Sequence, residues 1–164
     1  MTTPITEIPA RPAPPRLAKE LLKSSGFLLA KLGMGFKAKA MAKLEEAGFD
    51  PYHYSVLAIL GEGARETQAM IADTLALDPS RLVALLDSLE ERELVVRQRD
   101  PDDRRRHVVT ITDAGKRELS RLRAIVKEVE DEFFAPLDPQ SRKAFHESLQ
   151  QLACHHDPRC AFRS

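Results

Sequence analysis

Residues 67–112 constrain the fold more than any other stretch of the chain. From Pro79 onward Leu82, Leu85, Leu86 and Leu89 recur at three- and four-residue steps, which places them on one face of a helix. Asp78-Pro79-Ser80 precedes them, and an Asp ahead of a Pro at the first helical position is a helix start signal. The stripe predicts a helix that ends near Glu93. Met70, Ile71, Ala72 and Leu75 keep the same rhythm one segment earlier, and Leu77-Asp78 leaves only a few residues between the two helices. That is helix-turn-helix spacing.

The period then changes. Residues 94–99 (Leu-Val-Val-Arg-Gln-Arg) and 107–111 (His-Val-Val-Thr-Ile) are β-branched-rich runs, joined by Asp100-Pro101-Asp102-Asp103-Arg104-Arg105-Arg106. Asp-Pro and paired Asp favour turns, so the runs predict a hairpin with a long charged tip. A helix-turn-helix followed at once by such a hairpin is a winged helix. The expected fold is mainly α with a small β-hairpin wing, the winged helix-turn-helix lobe occupying residues 48–111. A purely structural α+β subdomain is the competing reading; the order of the motifs favours DNA binding.

Net charge gives no support by itself, because 25 basic residues balance 25 acidic ones. The distribution is blocky instead. Residues 11–43 carry eight Lys/Arg and one acid, residues 44–93 three and eleven, and residues 94–123 nine and five. The acidic middle block contains both helix-turn-helix segments, so the wing and its flanks are expected to supply much of the attraction for phosphates.

Around this lobe the chain reads in order. Residues 1–15 hold Pro4, Pro9, Pro12, Pro14 and Pro15 among small residues and are expected to be disordered. Residues 16–47 read as one long helix with a Leu17, Leu21, Leu28, Leu32 and Phe36 stripe. Its polar side carries Lys19, Lys23, Lys31, Lys37, Lys39 and Lys43, read either as a solvated face or as lysines that steer DNA. Gly26, Gly33 and Gly35 inside it each cost about 1 kcal/mol against Ala, which points to close approach of a helix or ligand, or to a kink. Pro51 opens a further helix to about Leu60 that bears Tyr52, His53 and Tyr54. After the wing, Thr112 caps a long helix striped by Leu119, Leu122, Ile125, Val126 and Val129, reaching Phe133 and Phe134. A last helix over residues 140–153 directs Phe145, Leu149 and Leu152 inward. Long amphipathic helices at both ends of the chain must bury their stripes on something.

Several motifs together are similar to those of MarR-family transcription regulators. These are Gln68-x-x-Ile71-Ala72-x-x-Leu75, Asp78-x-Ser80, Leu86-Asp87-x-Leu89-Glu90-x-Arg92-x-Leu94-Val95-x-Arg97, Asp100-Pro101-x-Asp103-Arg104-Arg105, and Val109-Thr110-Ile111-Thr112-x-Ala114-Gly115. The likeness is dense over residues 48–118. It implies a homodimer in which residues 16–47 and 112–153 form the dimerisation helices, acting on a pseudo-palindromic operator in double-stranded DNA. It also implies a cleft between the DNA-binding and dimerisation regions where a small aromatic or anionic effector binds. Phe27, Lys31, Met34, His53 and Tyr54 are the candidates to line it; core packing or simple exposure is the competing reading for each. The resemblance further implies a repressor, released when the ligand favours a spacing of the two recognition helices that no longer matches successive major grooves.

The DNA-binding roles can be assigned by residue. The helix from Pro79 is expected in the major groove with Ser80 and Arg81 nearest the bases, Arg81 being able to donate two hydrogen bonds to guanine. Val83-Ala84 stand where many family members carry Thr-Arg, so Val83 is expected against a thymine methyl, with few polar side chains left for base readout. Arg104, Arg105 and Arg106 can reach phosphates. By resemblance Arg105 enters the minor groove, and Asp103 holds the tip in shape.

The two cysteines close the chain in residues 154–164, with Cys154, His155, His156 and Cys160 as candidates for metal binding or a redox pair, against the reading of an incidental tail. The family's peroxide sensors place their reactive cysteine near the N-terminus, where this chain has none. No Gly-rich phosphate loop, metalloprotease helix or nucleophile elbow appears, so no enzyme activity and no cofactor are expected. No apolar run approaches the roughly 18 residues that span a bilayer, and no secretory signal is apparent; a cytoplasmic location is the default expectation. Two alternatives stay open: a winged-helix protein-interaction module without DNA binding, and a metal- or thiol-responsive regulator using Cys154 and Cys160.

Overall fold

The computed structural model describes residues 16–63, 66–99 and 107–160. The chain divides into two compact units, Met1–Gly35 and Phe36–Ser164. In the first unit the expected single helix is interrupted. A short α1 (Lys19–Leu22) ends at Lys23, and α2 (Ser25–Glu46) begins afresh. Ser24 causes the restart: its Oγ accepts the Phe27 N–H at 3.2 Å, the geometry of an N-cap. Gly26 therefore sits in the first turn of α2 and not in a helix interior. Among the described residues nothing lies within 4 Å of a Cβ built on Gly33.

The second unit contains the winged lobe. After α2 come α3 (Pro51–Gly61), β1 (Glu66–Thr67), α4 (Gln68–Leu75), α5 (Pro79–Glu91), β2 (Val95–Arg99), β3 (His107–Ile111), α6 (Asp113–Phe133) and α7 (Pro139–His156), with a 3-10 turn at Pro158–Cys160. The predicted fold is observed, with one addition. The two-residue β1 pairs antiparallel with β3, Glu66 facing Val109 and Thr67 facing Val108, so the wing is the larger part of a three-stranded sheet of order β1-β3-β2. The hairpin register runs from Val95 opposite Ile111 to Arg99 opposite His107.

Each helix start follows from a local side chain. Asp50, Thr67, Asp78, Thr112 and Asp138 cap α3, α4, α5, α6 and α7, each accepting a backbone N–H from the first turn. Helix ends share another device. The N–H of Phe49 reaches back to the Leu44 carbonyl, that of Leu77 to Ala72 and that of Leu94 to Leu89, each at 2.9 Å. This closure needs a left-handed residue, supplied by Gly48 at the first end but by Ala76 and Glu93 at the other two. The helix-turn-helix is thus closed by a three-residue turn whose first residue is strained.

The core of this unit is made by Val56, Leu57 and Leu60 of α3, Ile71 of α4, Leu82, Leu86 and Leu89 of α5, Val95 and Val109 of the sheet, and Leu119 and Leu122 of α6. All four leucines of the α5 stripe are buried. The last helix behaves differently from expectation: α7 has no buried residue, with Phe145 37% and Leu152 52% exposed. Among the described residues no element covers its apolar side. Phe145 lies 5.8 Å from Phe134 in a group with Phe133 and Phe36.

Gly115 fixes how α6 leaves the wing. A Cβ there would overlap the Leu94 carbonyl oxygen and come within 2.7 Å of Ile111 Cγ1. Gly115→Ala is therefore expected to lower unfolding stability by about 2 kcal/mol, although Ala is the better helix former. Urea unfolding checks this, and an equal or higher midpoint would show that the α6–wing contact is looser than the structure has it.

Candidate nucleic-acid interface

The exposed edge of the lobe is built from the first turn of α5 and from the hairpin. Asp78 Oδ1 accepts the Ser80 N–H at 2.9 Å, and the Ser80 hydroxyl is also bound to that carboxylate, which lowers the Asp78 pKa. With Pro79 setting φ at the first helical position, Ser80, Arg81, Val83 and Ala84 are left exposed where α5 begins. Val83 is 40% exposed. The four predicted wing-tip residues, Asp103, Arg104, Arg105 and Arg106, lie outside the described residues.

Arg81 does not project freely. Its guanidinium carbon sits 4.5 Å from the centroid of the Tyr52 ring on α3, a cation–π stack. Arg81 and Tyr52 also border a cleft of about 500 Å³, with Lys37, Met41 and Glu45 of α2 and Asp50 of the α3 cap.

Sequence reasoning counted Arg97 only as part of a motif. In the structure it ties the wing to α5. Its side chain donates to Glu90 Oε2 through Nε at 2.8 Å and to Asp87 Oδ1 through Nη2 at 2.7 Å, while its backbone N–H donates to Glu90 Oε1 at 3.0 Å. β2 is an edge strand, so the Glu90 carboxylate satisfies an outward-facing strand N–H that would otherwise be open. The bond from Arg97 holds Glu90 below the usual carboxylate range. The signal available beforehand was Asp87 and Glu90 at a helical i, i+3 spacing with an arginine seven residues on. Arg97→Ala is expected to lower stability by about 1 kcal/mol, since the group is partly solvated. Unfolding in low and high salt checks the charge contribution; a loss that does not shrink in high salt would assign it to packing.

The residues expected to meet an effector have separate settings. On α2, Phe27 is half-buried while Lys31 and Met34 are exposed. Tyr54 is half-buried against the lobe core. His53 serves the helix start. Its Nδ1 accepts the Asp50 N–H at 3.1 Å, completing a capping box with Asp50 Oδ1, which accepts the Tyr52 N–H at 2.7 Å. The ring is buried, roughly perpendicular to Phe49 with centroids 6.0 Å apart, and Nε2 has no hydrogen-bond partner among the described residues. Burial chiefly pushes the His53 pKa down, with Arg92 adding to this and Asp50 opposing it. A lowered folded pKa means the unfolded chain binds the proton more tightly. The neutral-ring contribution is complete above the unfolded value near 6.5 and is lost as pH falls through the folded pKa. A drop in urea midpoint between pH 7.5 and 5 is expected, and it should flatten in His53→Gln, where Gln keeps the capping box; parallel profiles would show that His53 is not the group responsible.

At the other end of the chain, Cys154, His155 and His156 belong to the last turn of α7, which runs past the expected end at residue 153. Cys154 Sγ lies 3.2 Å from the Cys160 carbonyl oxygen, and both cysteines are free thiols. Among the described residues no three His, Cys, Asp or Glu side chains converge on a point that could hold a metal. Nor, among them, is any helix long and apolar enough to cross a membrane.

The MarR family model matches residues 47–106. A MarR-family transcriptional regulator from Rhodococcus sp. RHA1 is 31% identical and superposes with a TM-score of 0.70 over 83% of this chain and 98% of its own. The transcriptional repressor CouR bound to a 23-mer DNA duplex is 31% identical, with a TM-score of 0.72 over 85% of this chain and 99% of its own. CouR from Rhodococcus jostii RHA1 has also been solved with p-coumaroyl-CoA. A putative transcriptional regulatory protein for the hcr operon of Thauera aromatica is 30% identical over 64% of this chain, an alignment that spans 63% of that relative.

Proposed function

The chain belongs to the MarR family of DNA-binding transcription regulators, and we propose that it is a homodimeric, cytoplasmic, non-enzymatic repressor released by a small aromatic or anionic ligand. One observation carries the proposal. The C-terminal half of α5 is clamped to the wing by Arg97 through Asp87 and Glu90, so the helix that carries the exposed Ser80, Arg81 and Val83 is held to the wing strands. The similarity to a repressor held on duplex DNA supports the same use here.

Dimerisation is argued from what each chain leaves uncovered. Leu17, Leu21, Leu28, Leu29 and Leu32 near one end, and Leu137, Phe145 and Leu152 near the other, are each 37% exposed or more. Leaving so much apolar area in water is unfavourable by about 25 cal/mol per Å², and a second copy covers it symmetrically. Two copies then present two α5 helices to successive major grooves of a pseudo-palindromic operator. In this reading Ser80, Arg81 and Val83 face the bases. Arg104 and Arg106 face phosphates, and Arg105 the minor groove with Asp103 supporting the tip.

Binding of the purified protein to its own upstream DNA, at two salt concentrations with random duplex as competitor, tests the proposal. Arg105→Ala is expected to weaken binding to all duplexes and to reduce the salt slope by about 1; Arg81→Ala is expected to cost about 1–3 kcal/mol on the operator and to relax sequence preference. Equal losses for both variants on specific and random DNA would refute the division of roles.

A further inference from the structure

We propose that the joint between the end of α2 and the winged lobe is a proton-operated lock: Arg92 and Arg121 close it over the Phe49 ring, and protonation of His53 opens it and weakens DNA binding. This rests on the DNA-binding reading above and adds a way in which that binding is regulated.

The joint begins where α2 stops. Gly48 stands at φ +83°, in the left-handed region, and turns the chain so that the Phe49 N–H returns to the Leu44 carbonyl at 2.9 Å. Carbonyls at a helix end carry partial negative charge. Two arginines from distant elements meet them. Arg92, the C-cap of α5, donates through Nη1 to the Gly48 carbonyl at 2.8 Å, and Arg121 of α6 donates through Nη2 to that of Ala47 at 3.4 Å. Both also lie over the Phe49 ring, with guanidinium carbons 4.7 and 5.8 Å from its centroid. Phe49 is buried, so the end of α2 is fastened to α5 and α6 through one ring.

His53 completes the fastening from α3, and only as a neutral ring. Its Nδ1 accepts the Asp50 N–H, and an imidazolium has no acceptor nitrogen. Protonation therefore strands that N–H and sets a new cation against Arg92. Asp50 at the α3 cap and Arg92 are the charges that act on the ring directly. On α6, Arg121 is shared between the Ala47 carbonyl and Glu118, and in the last turn of α2 Glu46 is paired with Lys43. Burial first, with Arg92 adding to it, outweighs Asp50 and holds the His53 pKa below its ordinary value while the joint is closed. The open joint then binds the proton more tightly, so acid opens it. Once the capping box and the Phe49 contacts let go, the lobe's orientation on α2 is no longer fixed. Two such lobes cannot hold the spacing that two half-sites demand.

The full-length protein is titrated onto a labelled duplex that it selects from a random pool, from about pH 7.5 to about pH 5.5 at constant ionic strength. The operator Kd is expected to rise on the order of tenfold while the far-UV circular dichroism stays native. His53→Gln, whose amide keeps the capping box and does not titrate, is expected to show no such rise. Arg92→Gln removes the neighbouring charge, so the pH of half-loss is expected to move upward. Arg92→Lys keeps the charge and is expected to keep the wild-type midpoint. A midpoint that Arg92→Gln leaves unmoved overturns the proposal. So does a rise in Kd that His53→Gln reproduces, or a loss of affinity that tracks loss of the helical signal.

A DNA-free arm separates failure of the joint from failure of the DNA reading. The His53 ring is titrated by NMR, and amide exchange gives protection factors for Phe49 and, in the α5 core, for Leu86. Protection of Phe49 is expected to fall with the His53 midpoint while that of Leu86 is kept. If the protein selects no duplex but Phe49 behaves in this way, the joint stands and the DNA reading has failed. If it selects a duplex and Phe49 protection ignores the His53 titration, the joint is overturned.

Discussion

The fork of Arg97 on Asp87 and Glu90 is the interaction on which the DNA-reading surface depends. A recognition helix can present its first turn accurately only if its rotation is fixed, and a two-stranded wing is marginal by itself. Burial of the α5 leucines fixes one side of that helix. The Arg97 clamp fixes the other, joining the outer flank of α5 to the free edge of β2 through both side chain and backbone. Gly115 allows α6 to leave the sheet directly over the Leu94 carbonyl, so the wing is held from above as well.

The charge blocks acquire a different meaning once the partners are known. The acidic stretch 44–93 argues against DNA affinity when only its sum is considered. Several of its acids are engaged inside the protein: Asp50 and Asp78 cap helices, Asp87 and Glu90 are paired with Arg97, and Glu46 is paired with Lys43. Pairing Asp87 and Glu90 with Arg97 leaves the second half of α5 less repulsive to phosphate than the sequence count implies.

Local chemistry was legible in the sequence, and distant chemistry was not. Asp78-Pro79, Thr112 and the leucine stripe of α5 announce themselves because a cap or an amphipathic face needs only neighbours within a turn or two. The restart at Ser24 carried such a signal and was outweighed by the continuous leucine pattern. By contrast β1 is two residues long and exists only because Val108 and Val109 lie beside it, a pairing across some forty residues. Nothing near Arg81 announces its stack on Tyr52, and His53 reads as a ligand contact until Asp50 is seen to share a capping box with it. The apolar stripes of the terminal helices were legible as stripes, but a stripe does not name what covers it.

Hydroxyl-radical footprinting of the protein on duplexes it selects from a random pool tests the central claim most directly, because it reports the placement of helix and wing together. The account predicts two protected half-sites about one helical turn apart, related by a twofold axis, each flanked by protection of the adjoining minor groove. A single unsymmetrical footprint, or protection no different from that on random DNA, would contradict it.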